Sequence, residues 1–214
     1  MLETIITLTA LILSIVLHEV AHGYAANWLG DPTARLAGRL SANPLLHIDP
    51  MGTIIVPAIM FIATKGIIGN GMIFGWAKPV PYNPYNLNNQ KWGEAIVAAA
   101  GPLTNLLLAI IFAGIIRMAP TLSLSSGFIN MAEYIVYINV LLAVFNAIPF
   151  PPLDGSKIIE PFLPLWLQIK YRSFKNYMEN LGFVVLFICV FIFMQILWAP
   201  FSHIIGNIYQ FLVG

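Results

Sequence analysis

Long apolar runs separated by short polar connectors organise this chain. The first extends from Thr4 to about Leu29, about 39 Å as an α-helix, against a hydrocarbon core of about 30 Å. A second, Ala95 to Ile116, carries no charge and is closed by Arg117. A third, Tyr134 to Phe150, follows an uncharged, Ser-rich link, and a fourth, Leu181 to Ala199, is again free of charge. The pattern predicts four spanning helices. Met51 to Thr64 is uncharged but short for a span, and fits a re-entrant or interfacial piece. Gly66 to Pro81 is rich in Gly and Pro with β-type residues in MIFGW, which predicts short extended structure, so residues 51–81 read as one re-entrant or interfacial segment. The tail from Pro200 is uncharged and interrupted by Gly206, as an interfacial helix would be. The polar stretches 30–50, 76–93 and 154–180 are connectors, and no internal repeat or appended soluble domain separates them. The expected fold is all-α and multi-pass, a single domain over 1–214 with a core at 4–155 and a C-terminal span and tail at 156–214.

Composition strengthens this reading. Hydrophobic residues make up 59% of the 214, and charged residues only 9%, ten basic and nine acidic. A soluble domain carries about 25% charged residues, and so few charges could not cover a water-exposed surface of this size. The net charge of +1, with no basic stripe or aromatic nucleic-acid motif, excludes a nucleic-acid partner. The single cysteine, Cys189, lies in an apolar run and offers no disulfide framework. The first run lacks a basic leader and a small-residue cleavage site, so it is expected to remain as a spanning helix.

Inside that first run stands His18-Glu19-Val20-Ala21-His22. On a helix, histidines four apart share one face and can both reach one metal ion, while Glu19, about 100° around the helix, is free to act as a general base. Two nitrogens and one oxygen with an open fourth position suit Zn2+, which brings the pKa of a bound water toward about 7. Random placement of the chain's four His and six Glu would produce roughly 0.002 such patterns. The bland alternative is a hydrogen-bonded cluster tying two helices together. Ionisable groups at membrane depth are costly and by default functional, which favours chemistry.

A third ligand must come from a short list of acids. Glu3, Glu94, Glu133, Glu160 and Glu179 lie at or beyond span ends, and Asp31 and Asp49 lie in the first connector. Asp154 ends the run Asn146-Ala147-Ile148-Pro149-Phe150-Pro151-Pro152-Leu153-Asp154-Gly155, in which three prolines break the helix and Gly155 permits a tight turn back toward the interior. Its alternative role is the N-cap of a helix starting near Lys157.

His18-Glu19-x-x-His22, Gly101-Pro102-Leu103-Thr104-Asn105 and Leu153-Asp154-Gly155, in that order, resemble the three markers of the site-2 protease family of intramembrane zinc metalloproteases, peptidase family M50, and cover most of the chain. The resemblance implies one catalytic Zn2+ held by His18, His22 and Asp154, with Glu19 as base and proton shuttle. It implies that Asn105 holds the substrate backbone or oxyanion, unless it merely bridges helices, and that Asn146 supports the unwound turn. Asn43 to Pro50 resembles a connector of small family members, where His47 is a turn-stabilising residue or a second metal or regulatory ligand. His203 reads as structural or interfacial. The connectors are too short for the PDZ or nucleotide-sensing domains of many relatives.

The family's topology requires residues 51–81 to enter and leave on one side. Nine basic residues, Arg35, Arg39, Lys65, Lys78, Lys91, Lys157, Lys170, Arg172 and Lys175, then face the cytoplasm and only Arg117 lies outside, whereas a full crossing would divide them seven to three with the amino terminus inside, a weaker fit to the positive-inside rule. The expected protein sits in the cell membrane, amino terminus outside and active site nearer the cytoplasmic face. Its expected partners are the lipid bilayer and membrane-protein substrates, whose transmembrane segment it hydrolyses. The competing class is a metal-ion transporter or metal sensor using the same ligands, which would need further polar sites along a path.

Overall fold

The structure is a computed structural model that describes residues 2–59, 61–62, 75, 77–180 and 198–214. Among these residues every regular element is helical and there is no strand. Three helices are long and apolar enough to cross a membrane: α1 (Leu2–Trp28), α3 (Gly93–Arg117) and α5 (Ser126–Asn146). Between them lie α2 (Thr33–Leu36) and α4 (Ala119–Leu122), and after them α6 (Asp154–Ile159), α7 (Leu165–Asn180) and α8 (Trp198–Val213). Of the fourth expected span, Leu181 to Ala199, residues 181–197 lie outside the described residues, as do residues 66–74 and 76 of the expected extended stretch. The described part of that stretch, residues 75 and 77–81, is neither helix nor strand.

The third span starts at Ser126, ahead of the predicted Tyr134, because Ser125 caps it, its side chain accepting the Phe128 N–H. It ends at Asn146, short of Phe150, because Pro149 and the prolines after it cannot continue a helix. The helix α3 lies between α1 and α5. Its buried face is a stripe of small residues, Ala98, Gly101, Asn105, Ala109 and Ala113, which lets backbones approach closely where no hydrophobic force drives helices together. The outward faces carry Ile5, Leu8, Ile12, Leu103, Leu107 and Ile110, all exposed, while Ser14, His18, His22, Asn105 and Asn139 are buried. Polar inside and apolar outside is the arrangement a bilayer selects.

The tail forms one helix. The helix α8 continues through Gly206 and packs along α3 and α5, with Phe201 and Ile205 joining Ala109, Ala113, Val136 and Val140 in one core. Phe201 meets Phe145 at 6.2 Å and Tyr209 meets Tyr137 at 6.3 Å between ring centroids, so α8 runs antiparallel to α5. Arg117, at the far end of α3, donates to the Phe211 carbonyl at 2.7 Å.

The segment after the first connector starts with a π-helical turn, Pro50–Ile55, capped by Asp49, whose carboxylate accepts the Met51 N–H. It leaves and returns at one point, because the Lys78 N–H donates to the His47 carbonyl at 2.9 Å. Arg39 closes the same point, donating to the carbonyls of Lys78 at 2.8 Å and Pro79 at 3.4 Å. Asp31 anchors the rest of the connectors. Fully buried, its carboxylate accepts from the Thr33 hydroxyl and N–H, the Asn86 amide and the Asn83 N–H. Burial alone would raise its pKa, but these donors outweigh it and hold the carboxyl below the ordinary aspartate range.

Candidate metal centre

The two histidines project from the interior face of α1 toward α3, where a glycine makes room for them. A Cβ at Gly101 would lie 2.6 Å from Cε1 and Nε2 of His18 and from Cε1 of His22. Pro102, next along α3, cannot donate to the Ala98 carbonyl four residues back, and in this same turn the Val97 carbonyl accepts Nδ1–H of His22 at 2.7 Å. Nδ1 of His18 meets the Asn105 carbonyl oxygen at 2.5 Å.

Asp154 arrives from the proline-broken turn. It opens α6, whose N-cap is Leu153, and no side chain caps the helix. A Cβ on Gly155 would run into the backbone carbonyls of Ala147 and Ile148, so the turn closes tightly only with glycine there. The Asp154 carboxylate is thereby placed against both imidazoles, Oδ2 lying 3.1 Å from Nε2 of His18 and 3.3 Å from Nε2 of His22, while the two Nε2 atoms are 3.1 Å apart.

These three atoms fit a zinc ion. Ligands at about 2.0–2.1 Å in a tetrahedron stand about 3.3 Å apart, close to the 3.1, 3.3 and 3.1 Å observed. The donor set points the same way: each Nδ1 is already bonded to an oxygen acceptor, so the Nε2 atoms and the carboxylate turn three lone pairs toward one point, an arrangement that calls for a cation. Among the described residues, this is the one group of three or more His, Cys, Asp or Glu that could hold a metal ion.

A cavity of about 190 Å³ opens beside the three ligands and is also lined by Glu19, Val80, Tyr82, Asn146 and Lys157. One Glu19 oxygen accepts the Val80 N–H at 3.1 Å, which holds the carboxylate at the cavity wall. Asn146 donates to the Leu142 carbonyl one turn back at 3.0 Å, at the end of α5. Asn105, in contrast, is fully buried behind His18 and its amide donates to Asn139 at 2.8 Å. His47 lies apart from the metal group: buried, it donates from Nε2 to the Ser41 carbonyl at 2.9 Å, and its Nδ1 faces Arg39. His203 is on α8, also apart from it.

Lys157 and Tyr82 were not singled out by the sequence. Lys157 follows Asp154 by three positions on α6, which puts both on one face, and that spacing was the available signal. Its ammonium lies 5.2 Å from the centre of the Tyr82 ring. Burial disfavours its charged form, but Tyr82, Asp154 and Glu94 together outweigh that and hold it protonated beyond the ordinary lysine range. The cavity therefore offers a carboxylate base, a metal position and a fixed cation.

Comparison with known proteins agrees with this chemistry. The sequence model of peptidase family M50 matches residues 6–121 and 112–189. YwhC of Bacillus subtilis, named as a candidate zinc metalloprotease, is 36% identical over 188 residues, 85% of this chain and 78% of that protein. Rip2 of Mycolicibacterium smegmatis, named in the same way, is 30% identical over 159 residues, 74% of this chain but only 58% of its own longer sequence. MJ0611 of Methanocaldococcus jannaschii, again so named, is 38% identical over 69 residues, covering 31% of this chain and 35% of its own. No solved structure matches the chain.

Proposed function

Because the chain belongs to peptidase family M50 and is a zinc metalloendopeptidase, we propose that it hydrolyses peptide bonds in or near transmembrane segments of membrane-protein substrates, the chemistry of regulated intramembrane proteolysis. The observation that carries this reading is the depth of the metal group. His18 and His22 belong to the span Ile5–Trp28, and at about 1.5 Å per residue His18 is about 20 Å from Ile5 and about 15 Å from Trp28. A peptide bond brought to these ligands is at hydrocarbon depth, nearer the end at which α1, α3 and α5 meet the connectors rich in Lys and Arg. By the positive-inside rule that end faces the cytoplasm and the amino terminus lies outside. The 48–77 segment begins and ends at this same end, in keeping with a re-entrant course.

His18, His22 and Asp154 hold the zinc, which supplies Lewis acidity to a scissile carbonyl and lowers the pKa of a water molecule. Glu19 takes the proton of the attacking water and returns it to the leaving amine. Its bond from the Val80 N–H keeps the carboxylate aimed into the cavity. Lys157 sets a positive charge where the carbonyl oxygen gains negative charge. A transmembrane helix has its amides bonded internally, so the substrate must first unwind to expose the bond.

The test is incubation of the purified protein with a panel of single-span peptides in detergent. The expected result is cleavage that a chelator stops, that added zinc restores and that Glu19→Gln abolishes while zinc stays bound. A protein that binds zinc but cuts none of the panel would favour a metal transporter or sensor.

A further inference from the structure

We propose that Asn105, Asn139 and Ser14 form a relay that fixes the ring tautomer of His18, committing its Nε2 lone pair to the metal; the three are positioning residues. The inference rests on the reading of His18, His22 and Asp154 as the zinc site, and it concerns the side of His18 that faces away from that site.

The orientation of the relay is dictated from one end. Asn139 lies on α5, and its Nδ2 is 2.9 Å from the Ile135 carbonyl, which can only accept. That end of the Asn139 amide must therefore be the NH2 group, which also donates to Oγ of Ser14 on α1 at 2.9 Å. Its oxygen then faces α3 and receives the Asn105 Nδ2 at 2.8 Å. With its NH2 so used, Asn105 presents its own oxygen to Nδ1 of His18 at 2.5 Å. An oxygen there requires a proton on Nδ1, and a neutral imidazole with Nδ1–H has its lone pair on Nε2, the atom turned to Asp154 and His22.

His22 reaches the same state in one step, through the Val97 carbonyl. Among the described residues no backbone carbonyl accepts from Nδ1 of His18, and the two asparagines carry the polarity of a distant carbonyl to it. Both amides are fully buried, where an unmatched NH2 or C=O is costly. Flipping Asn105 would set its oxygen against the Asn139 oxygen, a mismatch, and its NH2 against Nδ1, which could then accept only by giving up its proton. Reversal would also move the His18 proton to Nε2 and block the ligand. A substrate-holding role for Asn105 would require it to abandon both bonds.

The experiment measures zinc affinity of purified protein by competition with a chromophoric chelator. Asn105→Leu removes the acceptor, and zinc binding is expected to weaken about 10–100-fold, the usual effect of losing a metal ligand's outer partner. Asn105→Asp keeps an acceptor and is expected to stay within about threefold of wild type, a rescue that a packing role would not produce. Asn139→Leu frees Asn105 to turn and is expected to weaken zinc about tenfold. Equal affinity for Asn105→Leu and wild type overturns the proposal, and so does equal loss in the Leu and Asp variants with unchanged melting. Because the Leu variants can fail to fold, the metal-free Asp154→Ala protein, in which no carboxylate competes for the proton at Nε2, is also examined by 15N-histidine correlation NMR at a pH where both imidazoles are neutral. Nδ1–H on His18 is expected, and Nε2–H overturns the relay. Wild-type protein that binds no zinc at all would instead sink the metal-site reading, with the tautomer still decided by NMR.

Discussion

Replacing Gly101 by Ala adds one carbon to the wall behind the metal ligands. The new Cβ would stand 2.6 Å from atoms of both imidazoles, where ordinary contact begins near 3.4 Å. Relief demands a shift of about 0.8 Å, shared between the rings and α3. A zinc site tolerates about 0.2 Å in its ligand distances. The histidines cannot both retreat by the required amount and keep Nε2 on a common point with Asp154. Zinc affinity is therefore expected to fall at least 10–100-fold, which is about 1.4–2.8 kcal/mol. The control lies on the same helix: a Cβ at Gly114 meets nothing within 4 Å. Gly114→Ala should leave zinc binding unchanged and stabilise the fold by up to about 1 kcal/mol through helix propensity. The assay is chelator competition on the purified proteins, beside thermal melts in detergent. Wild-type zinc affinity in Gly101→Ala would refute the claim that this glycine is the cradle of the site.

Other expected outcomes follow from the same geometry. Asp154→Asn should lower bound zinc from one per chain toward none in metal analysis, while the melt moves little, because the side chain caps no helix. Lys157→Met should leave zinc in place and lower kcat more than it raises KM in a peptide-cleavage assay, since the charge acts on the developing oxyanion. Asp31→Asn should destabilise the connectors by about 2–3 kcal/mol at neutral pH, the scale of losing hydrogen bonds to a buried charge. Because the folded-state pKa of Asp31 is depressed, its contribution is present above the unfolded aspartate value of about 3.9 and is lost as pH falls through the folded value. Melts of wild type and Asp31→Asn should thus converge on acidification.

The metal pair was legible because helix periodicity alone brings His18 and His22 to one face. Asp154 was legible because prolines and a glycine around it announce a turn. What stayed hidden depends on which helices touch. Nothing local to Ser14 or Asn139 marks them as partners of Asn105, since isolated polar residues recur in spans as simple helix bridges. The Val80 N–H on Glu19 is a backbone contact and leaves no residue-type signature. Gly206 read as an interruption, yet α8 runs through it, because packing of Phe201 and Ile205 on α3 and α5 outweighs the roughly 1 kcal/mol that a mid-helix glycine costs. Glu133 read as the edge of the third span, whereas the Ser125 cap sets the start a full two turns earlier.

With zinc bound by His18, His22 and Asp154, the protein is expected to cut peptide bonds at membrane depth. The most direct measurement of this is mass spectrometry of the products formed when the protein, reconstituted in lipid vesicles, is given a single-span substrate with and without a chelator. A new terminus is expected within or at the border of the transmembrane segment, absent with chelator and absent in Glu19→Gln. Cleavage confined to the soluble flanks, or unaffected by chelator, would contradict it.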